Sequence, residues 1–379
     1  MQKLCFYLVM GTFFSGAISV ASAEDIMSED MLLGSNVETV TTPEANDNTE
    51  ADAEEKSGFA FWNFIKKPLS LFADDETNEG ETLAEGKKES YVEKNERLAN
   101  EGNVEAQMNL GYMYLYGVNG VETDYEKAFK YYTMAADQKD AVALNNLGSL
   151  YFSGIGTQVD TRKAVELFSD AAELGNDNSA VNLAFIYLAG GAKDEQRNLR
   201  AVTLFKKAAD KGNNIAKFML GYAYYKGFAV EQDYAKAYKL IRSVAGGDVR
   251  LDEAQMVLGE MLIEGLGTVQ NYHDGIGALR SAVTQGNMEA FLLVAKIYND
   301  GTLTARNPIL AHSLYNIAAS RGVAGAAQMR EEIAKKLTRE QLAAAQKQAQ
   351  QFKDNPSELT QYVRQTFGAN IRNYILNNM

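Results

Sequence analysis

Glu260 and Glu264 lie one helical turn apart in this 379-residue chain, a spacing that could bring two carboxylates to one site. Glycan hydrolysis is the chemistry such a pair would serve, because acid and base must reach one reacting group together. The two histidines, His273 and His312, would need further ligands at short range to hold zinc. The single cysteine, Cys5, cannot supply them. Asp274 follows His273 directly, and adjacent helix positions do not face each other. Both histidines are expected to be solvent-exposed. Two glycine-rich snippets, Gly154-Ile-Gly156 and Gly265-Leu-Gly267, lack a phosphate-loop context and no strand pattern precedes them, so they read as turns. No serine is followed by lysine three residues on, so a Ser-x-x-Lys nucleophile is absent. The acidic pair Glu331-Glu332 reads as solvated charge. The expectation is a protein with no catalytic constellation, cofactor site or metal site.

The elements around these residues repeat. Leu-Gly or a close substitute recurs at Leu110-Gly111, Leu147-Gly148, Leu183-Ala184, Leu220-Gly221, Leu258-Gly259 and Val294-Ala295. A period of this length indicates stacked units rather than one globular core. Each pair is followed by a glycine: Gly117, Gly154, Gly190, Gly227, Gly265 and Gly301. A polar residue then opens a second run: Asp124, Asp160, Arg197, Asp233, Asn271 and Asn307. Four residues on comes Ala128, Ala164, Ala201, Ala237, Gly275 or Ala311. Two small residues, as in Ala135-Ala136, close each unit.

Ala106, Leu110 and Tyr114 lie four apart, which is helical spacing. Gly117 suits a helix end with positive φ, and Asp124 suits the N-cap of the next helix. One unit is therefore helix, turn, helix. Arg197 cannot cap, which predicts an irregular turn before the second helix of unit three. Gly275 and Gly277 lie inside the second helix of unit five, at about 1 kcal/mol each relative to Ala. That unit is expected to be the softest.

The residues (Ala)-x-x-x-Leu-Gly-x-x-Tyr, Gly, Asp-Tyr-x-x-Ala and Ala-Ala-x-x-Gly resemble the Sel-1-like repeat family, a branch of the tetratricopeptide-type helical solenoids. The resemblance covers about residues 90–330. It implies an all-α fold: a right-handed α-solenoid of about six helix-turn-helix repeats with capping helices, serving as an adaptor or scaffold for protein complexes. Ser179 departs from the pattern in place of a small alanine, and Lys139 in place of the terminal glycine.

Residues 1–23 read as a secretory signal peptide. Lys3 precedes the largely apolar run Leu4 to Val20, and Ala21-Ser22-Ala23 offers cleavage after Ala23. The expected location is periplasmic or secreted, with no stable membrane insertion after signal removal. Cleavage would also remove Cys5, leaving no possible disulfide. The net charge of −13 is concentrated in residues 24–89, which hold 18 acidic and 5 basic side chains. The repeats are nearly neutral, which argues against nucleic acid as a partner. Residues 24–89 read as an acidic disordered linker interrupted by an aromatic segment, 59–72, which reads first as docking on the chain's own repeats, then as a secondary partner segment through Phe61, Trp62 and Phe64, and last as a membrane-surface contact. Residues 90–101 read as an N-terminal capping half-repeat, 102–322 as six repeats and 323–355 as C-terminal capping helices. In 356–379, Leu359, Val363, Phe367, Ile371 and Ile375 recur every four residues. This predicts an amphipathic helix with Ser357 as a cap and Gly368 as a weak point.

In helical solenoids the first helices line the concave face. A core stripe there takes the Leu-Gly positions and the tyrosine that follows (Tyr114, Tyr151, Tyr187, Tyr224, Tyr298). A second stripe takes Met108, Tyr112, Tyr116, Asn145, Ser149, Phe185, Phe218, Tyr222 and Lys226. It predicts an aromatic-rich groove for protein partners in the cell envelope or outside the cell, since aromatic anchors among polar neighbours typify interface hot spots; the other reading of each residue is packing between repeats. The alternative is a glycan- or peptidoglycan-binding or -hydrolysing envelope protein, with Glu260 and Glu264 at the polar end of that groove.

Overall fold

A computed structural model describes residues 89–379, apart from 190–193, 248 and 369. The expected signal peptide, the expected acidic linker up to residue 88 and the aromatic segment with Phe61, Trp62 and Phe64 lie outside the described residues. Among those described, every regular element is a helix. They fall into two compact units, residues up to Ala192 with Gln365–Gly368, and Lys193–Arg364 with Ala369–Met379.

In the first unit, α1 (Tyr91–Asn100) opens with a full capping box between Ser90 and Glu93. Helix pairs follow: α2 (Val104–Tyr116) with α3 (Tyr125–Ala136), α4 (Ala141–Ser153) with α5 (Thr161–Glu173), then α6 (Asp177–Ala189). The second unit starts with α7 (Glu195–Asp210) and continues with α8 (Asn214–Lys226), α9 (Tyr234–Ala245), α10 (Asp252–Glu264), α11 (Tyr272–Thr284), α12 (Met288–Asp300) and α13 (Pro308–Ser320). Helices α14 (Ala326–Ala334) and α15 (Arg339–Gln351) follow the last repeat.

The period of the sequence is a period of caps and close crossings. Asp124, Asp160, Asp233, Asn271 and Asn307 each accept an N–H of the third residue of the helix they open. The first helices are capped the same way by Asn103, Asp140, Asn176, Asn213 and Asn287. The glycine of each Leu-Gly pair faces a large side chain of its own second helix. A Cβ on Gly111 would strike the Tyr132 ring, and one on Gly259 would strike Leu279. Omitting that Cβ is what lets the paired helices close.

Three expectations change. Helix α7 starts a turn early, capped by Asp194, with Arg197 inside it and ion-paired to Asp194 at 3.3 Å. The available cap simply lies upstream of Arg197. In unit five, Gly275 faces Gly259 O and Ile263 across the α10–α11 crossing, so its missing side chain serves packing. Gly277 has nothing near it and keeps its propensity cost. Residues 356–379 do not form one helix. Helix α16 (Glu358–Phe367) stops at Gly368, whose φ is 84°, and a short α17 (Asn373–Leu376) follows.

Candidate functional site

Leu251 is the irregular position from which the site grows. Five of the six first helices have an Asn or Asp cap, whereas Leu251 offers none to α10. The missing acceptor comes from far along the chain: the Asp252 N–H donates to Thr360 Oγ1 at 3.0 Å. Thr360 is fully buried, and its hydroxyl donates to Gln285 Oε1 at 2.8 Å. Gln285 Oε1 also accepts the Ser357 N–H at 2.8 Å, and the Asn355 N–H donates to Thr284 O. Ser357 Oγ accepts the Thr360 N–H at 3.1 Å, the capping role its position predicts. Residues 354–364 are thus held within the second unit by polar contacts at the opening of α10 and the end of α11.

Two arginines fix this segment. Arg364 Nη2 donates to Asp252 Oδ2 at 2.6 Å, and Asn287 Nδ2 reaches the same oxygen at 3.1 Å. Asp252 Oδ1 is buried with no hydrogen-bond partner among the described residues. Arg372 is deeper, its side chain 6% exposed. Its Nε donates to Glu253 Oε2 at 2.9 Å and its Nη2 to Glu289 Oε2 at 2.6 Å. Its guanidinium lies 5.6 Å from the centre of the Tyr222 ring, within cation–π reach. The Ile371 N–H donates to Glu253 Oε1, so one carboxylate holds both backbone and side chain.

The electrostatics follow from burial. Desolvation pushes Glu253 up to about 7, against the pull of Arg372. Glu260 is raised as well, first by desolvation, again with Arg372 opposing. Burial lifts the Tyr222 hydroxyl to about 12. Glu264, the other half of the proposed acid–base pair, is exposed. Glu260 therefore sits in the field of Arg372.

The predicted groove residues are mostly not open. Met108, Tyr116, Asn145, Ser149, Phe185, Phe218 and Tyr222 are buried, while Tyr112 and Lys226 are half-buried. Phe185 packs on Phe367 at 4.3 Å between ring centroids. Tyr222 stacks on Phe218 at 6.1 Å and has the Arg372 guanidinium 5.6 Å from its ring centre. Asn145 Oδ1 accepts Ser179 Oγ at 2.8 Å and Asn182 Nδ2 at 3.1 Å, which also explains the serine that departs from the pattern. The stripe assigned to the core is buried at its Leu-Gly positions, Leu258 excepted, and at Tyr114, while Tyr151, Tyr187, Tyr224 and Tyr298 are only half-buried. First helices are covered on more sides than a two-faced reading allows.

The histidines separate. His273 is exposed. His312 is 3% exposed, against the expectation, and burial lowers its pKa. No cluster of metal-ligating side chains occurs among the described residues. The snippets Gly154-Ile-Gly156 and Gly265-Leu-Gly267 fall at the turns between paired helices.

The Sel1 repeat model matches six times, at residues 104–140, 141–176, 178–213, 214–243, 252–287 and 292–323. The chain belongs to the Sel1-repeat family. Sel1-repeat proteins act as scaffolds and adaptors in protein–protein interaction, on an all-α solenoid fold. The chain is 37% identical over 82 residues to protein sel-1 homolog 2 of Mus musculus, covering 21% of this chain and 12% of that protein. It is 35% identical over 107 residues to an ERAD-associated E3 ubiquitin-protein ligase component of Arabidopsis thaliana, covering 27% of this chain and 16% of the relative. It thus spans less than a fifth of the length of these relatives. A crystal structure of a Sel1 repeat protein from Oxalobacter formigenes is 26% identical with a TM-score of 0.50, covering 61% of this chain and 99% of that one. No helix among the described residues is long and apolar enough to cross a membrane.

The arginine site was missed by sequence reasoning for a definable reason. Within a Sel1 unit the contacts are local, but Asp252 and Arg364 are 112 positions apart. One signal was available: Leu251 interrupts the Asn/Asp cap series, and the acidic pair Asp252-Glu253 follows it directly.

Proposed function

We propose that this Sel1-repeat protein is an exported, non-enzymatic adaptor that binds segments of partner proteins on the faces of its first helices. The observation that carries the reading is that one segment is already held in this way. Thr360, Arg364, Ile371 and Arg372 are bound by the openings of α10 and α12 through backbone and side-chain contacts. A surface that holds its own chain by this means has the chemistry to hold another. Export rests on the leader-like residues 1–23. The cell envelope or a host-contact complex is the setting we favour, and the half-buried Tyr112 and Lys226 are the accessible edge of the partner-binding stripe.

Site-specific photocrosslinking in the producing cells tests the reading. A photoreactive residue at 112 or 226 is expected to give discrete protein adducts. One at Val269, which is 85% exposed on a turn, is expected to give none of them. Equal adducts from Val269, or adducts to glycan alone, would overturn it.

A further inference from the structure

Stacking helix pairs does not require a buried guanidinium, yet the second unit builds a cage for one. Glu253 and Glu289 hold the same place in units five and six, five residues before Leu258 and Val294. Successive units therefore present carboxylates at the spacing of the repeat, and Arg372 spans both, at 2.9 and 2.6 Å. Tyr222 supplies an aromatic face, and Met256 Sδ lies 3.8 Å from Nη2. Ile371 and Ile375 are fully buried on either side of the arginine. The Ile371 N–H on Glu253 reads the backbone of the occupant as well as its side chain.

Such a cage is a poor device for stability alone. Removing two charges from water costs about as much as their attraction returns, and apolar packing often does better. What a planar guanidinium between two carboxylates gives is geometric selectivity, since lysine cannot present two parallel donors in a fixed fork. Asp252, with one buried oxygen unpartnered among the described residues, repeats the imbalance beside the cage.

We infer that this cage is a recognition site for an arginine-bearing segment of a partner protein, and that residues 370–378 are its resting occupant. The inference deepens the adaptor reading and rests on it. It names the partner chemistry: one arginine between isoleucine-sized apolar side chains, on a segment with a free backbone N–H just before the arginine. A partner of this pattern displaces the chain's own segment.

A labelled synthetic peptide of residues 354–379, added to the full chain, tests this. The R372A chain, its own occupant weakened, is expected to bind the peptide about 30-fold more tightly than wild type. A peptide with lysine in place of that arginine is expected to lose the gain, as is a receptor carrying E253Q and E289Q beside R372A. Absence of peptide binding to a folded R372A chain would overturn the inference. Hydrogen exchange on the wild-type chain gives a second reading that needs no variant. The Ile371 amide is expected to exchange about 100-fold faster than the Leu258 amide inside α10, because a displaceable occupant opens without global unfolding. Equal protection would make the segment a fixed cap and overturn the inference. Peptide failure with position-specific crosslinks at 112 and 226 would sink the arginine site alone; loss of both would sink the adaptor as well.

Discussion

At the scale of single residues, the caps and the turn glycines fix where each helix starts and stops. Asp124 and Asp233 each accept a backbone N–H three residues on, and both carboxyls are held below their ordinary value chiefly by that bond. Asp124→Ala and Asp233→Ala should each lower the urea midpoint, and an unchanged midpoint would show that water replaces the cap. The contribution of these groups is present above the unfolded carboxyl pKa and is lost as pH falls through the lower folded value. Gly156 is more demanding. A Cβ there would land on the Tyr125 carbonyl, and its φ of 68° already disfavours a side chain. Gly156→Ala should cost about 2–3 kcal/mol; a melting temperature unchanged from wild type would show that the turn relaxes freely. Lys139 accepts a φ of 60° where most units end in glycine, so this turn tolerates a side chain where Gly156 does not.

Glu253 sets the sign of a pH effect at the same scale. Its folded pKa, about 7, lies above the ordinary carboxyl value of 4.5, so folding takes up a proton between them. Its contribution to stability is fully present below about pH 4.5 and is lost as pH rises through about 7. The groups that bear on it are Arg372 and its helix neighbour Asp252, with Glu289 on α12 and Tyr222 on α8 also facing Arg372. His312 works the other way, because burial lowers its pKa and its contribution fades in acid. The comparison must therefore be between proteins. The E253Q chain should lack a slope in urea midpoint between pH 5 and 8 that wild type has, and parallel curves would refute the assignment.

At the scale of elements, the cap series and the apolar spacing made the helix pairs legible. Asp124, Asp160, Asp233, Asn271 and Asn307 open helices where their positions predict. Arg197 was misread because the pattern fixed a position while the chain used the nearest acceptor, Asp194. The stripe was harder. Tyr222 looked like a free anchor because spacing along one helix says nothing of a segment returning from 150 residues later. The amphipathic spacing in 356–379 identified a face to be buried but not what would cover it, and Gly368 ends the helix before the arginine that matters. Helix α10 depends on that return. Thr360→Val should leave the Asp252 N–H and Gln285 Oε1 each short of a partner, at about 1–3 kcal/mol. Faster exchange at the Asp252 amide would be its signature; an unchanged rate would mean that water replaces the hydroxyl.

At the scale of the molecule, repeat energetics should make damage local. Each Sel1 unit is stabilised by its own pairing and by its neighbours, so unfolding need not be a single transition. In hydrogen-exchange mass spectrometry, Gly156→Ala should loosen α3 and α4 while α10 and α12 keep their protection. A uniform loss across all helices would instead describe one cooperative body. Export, which we propose from residues 1–23, makes its own demand: the protein recovered from the cell envelope should begin at Glu24. Recovery from the cytosol with Met1 or Gln2 at its start would remove that part of the reading.

The long sequence separation of the arginine contacts gives the chain a timing problem. Glu253 leaves the ribosome 119 residues before Arg372. At 5–20 residues per second, that is roughly 6–24 s before the counter-charge of Glu253 exists. The fifth unit therefore cannot complete its own packing when its two helices first pair, and waits for a stretch of chain made after the sixth unit.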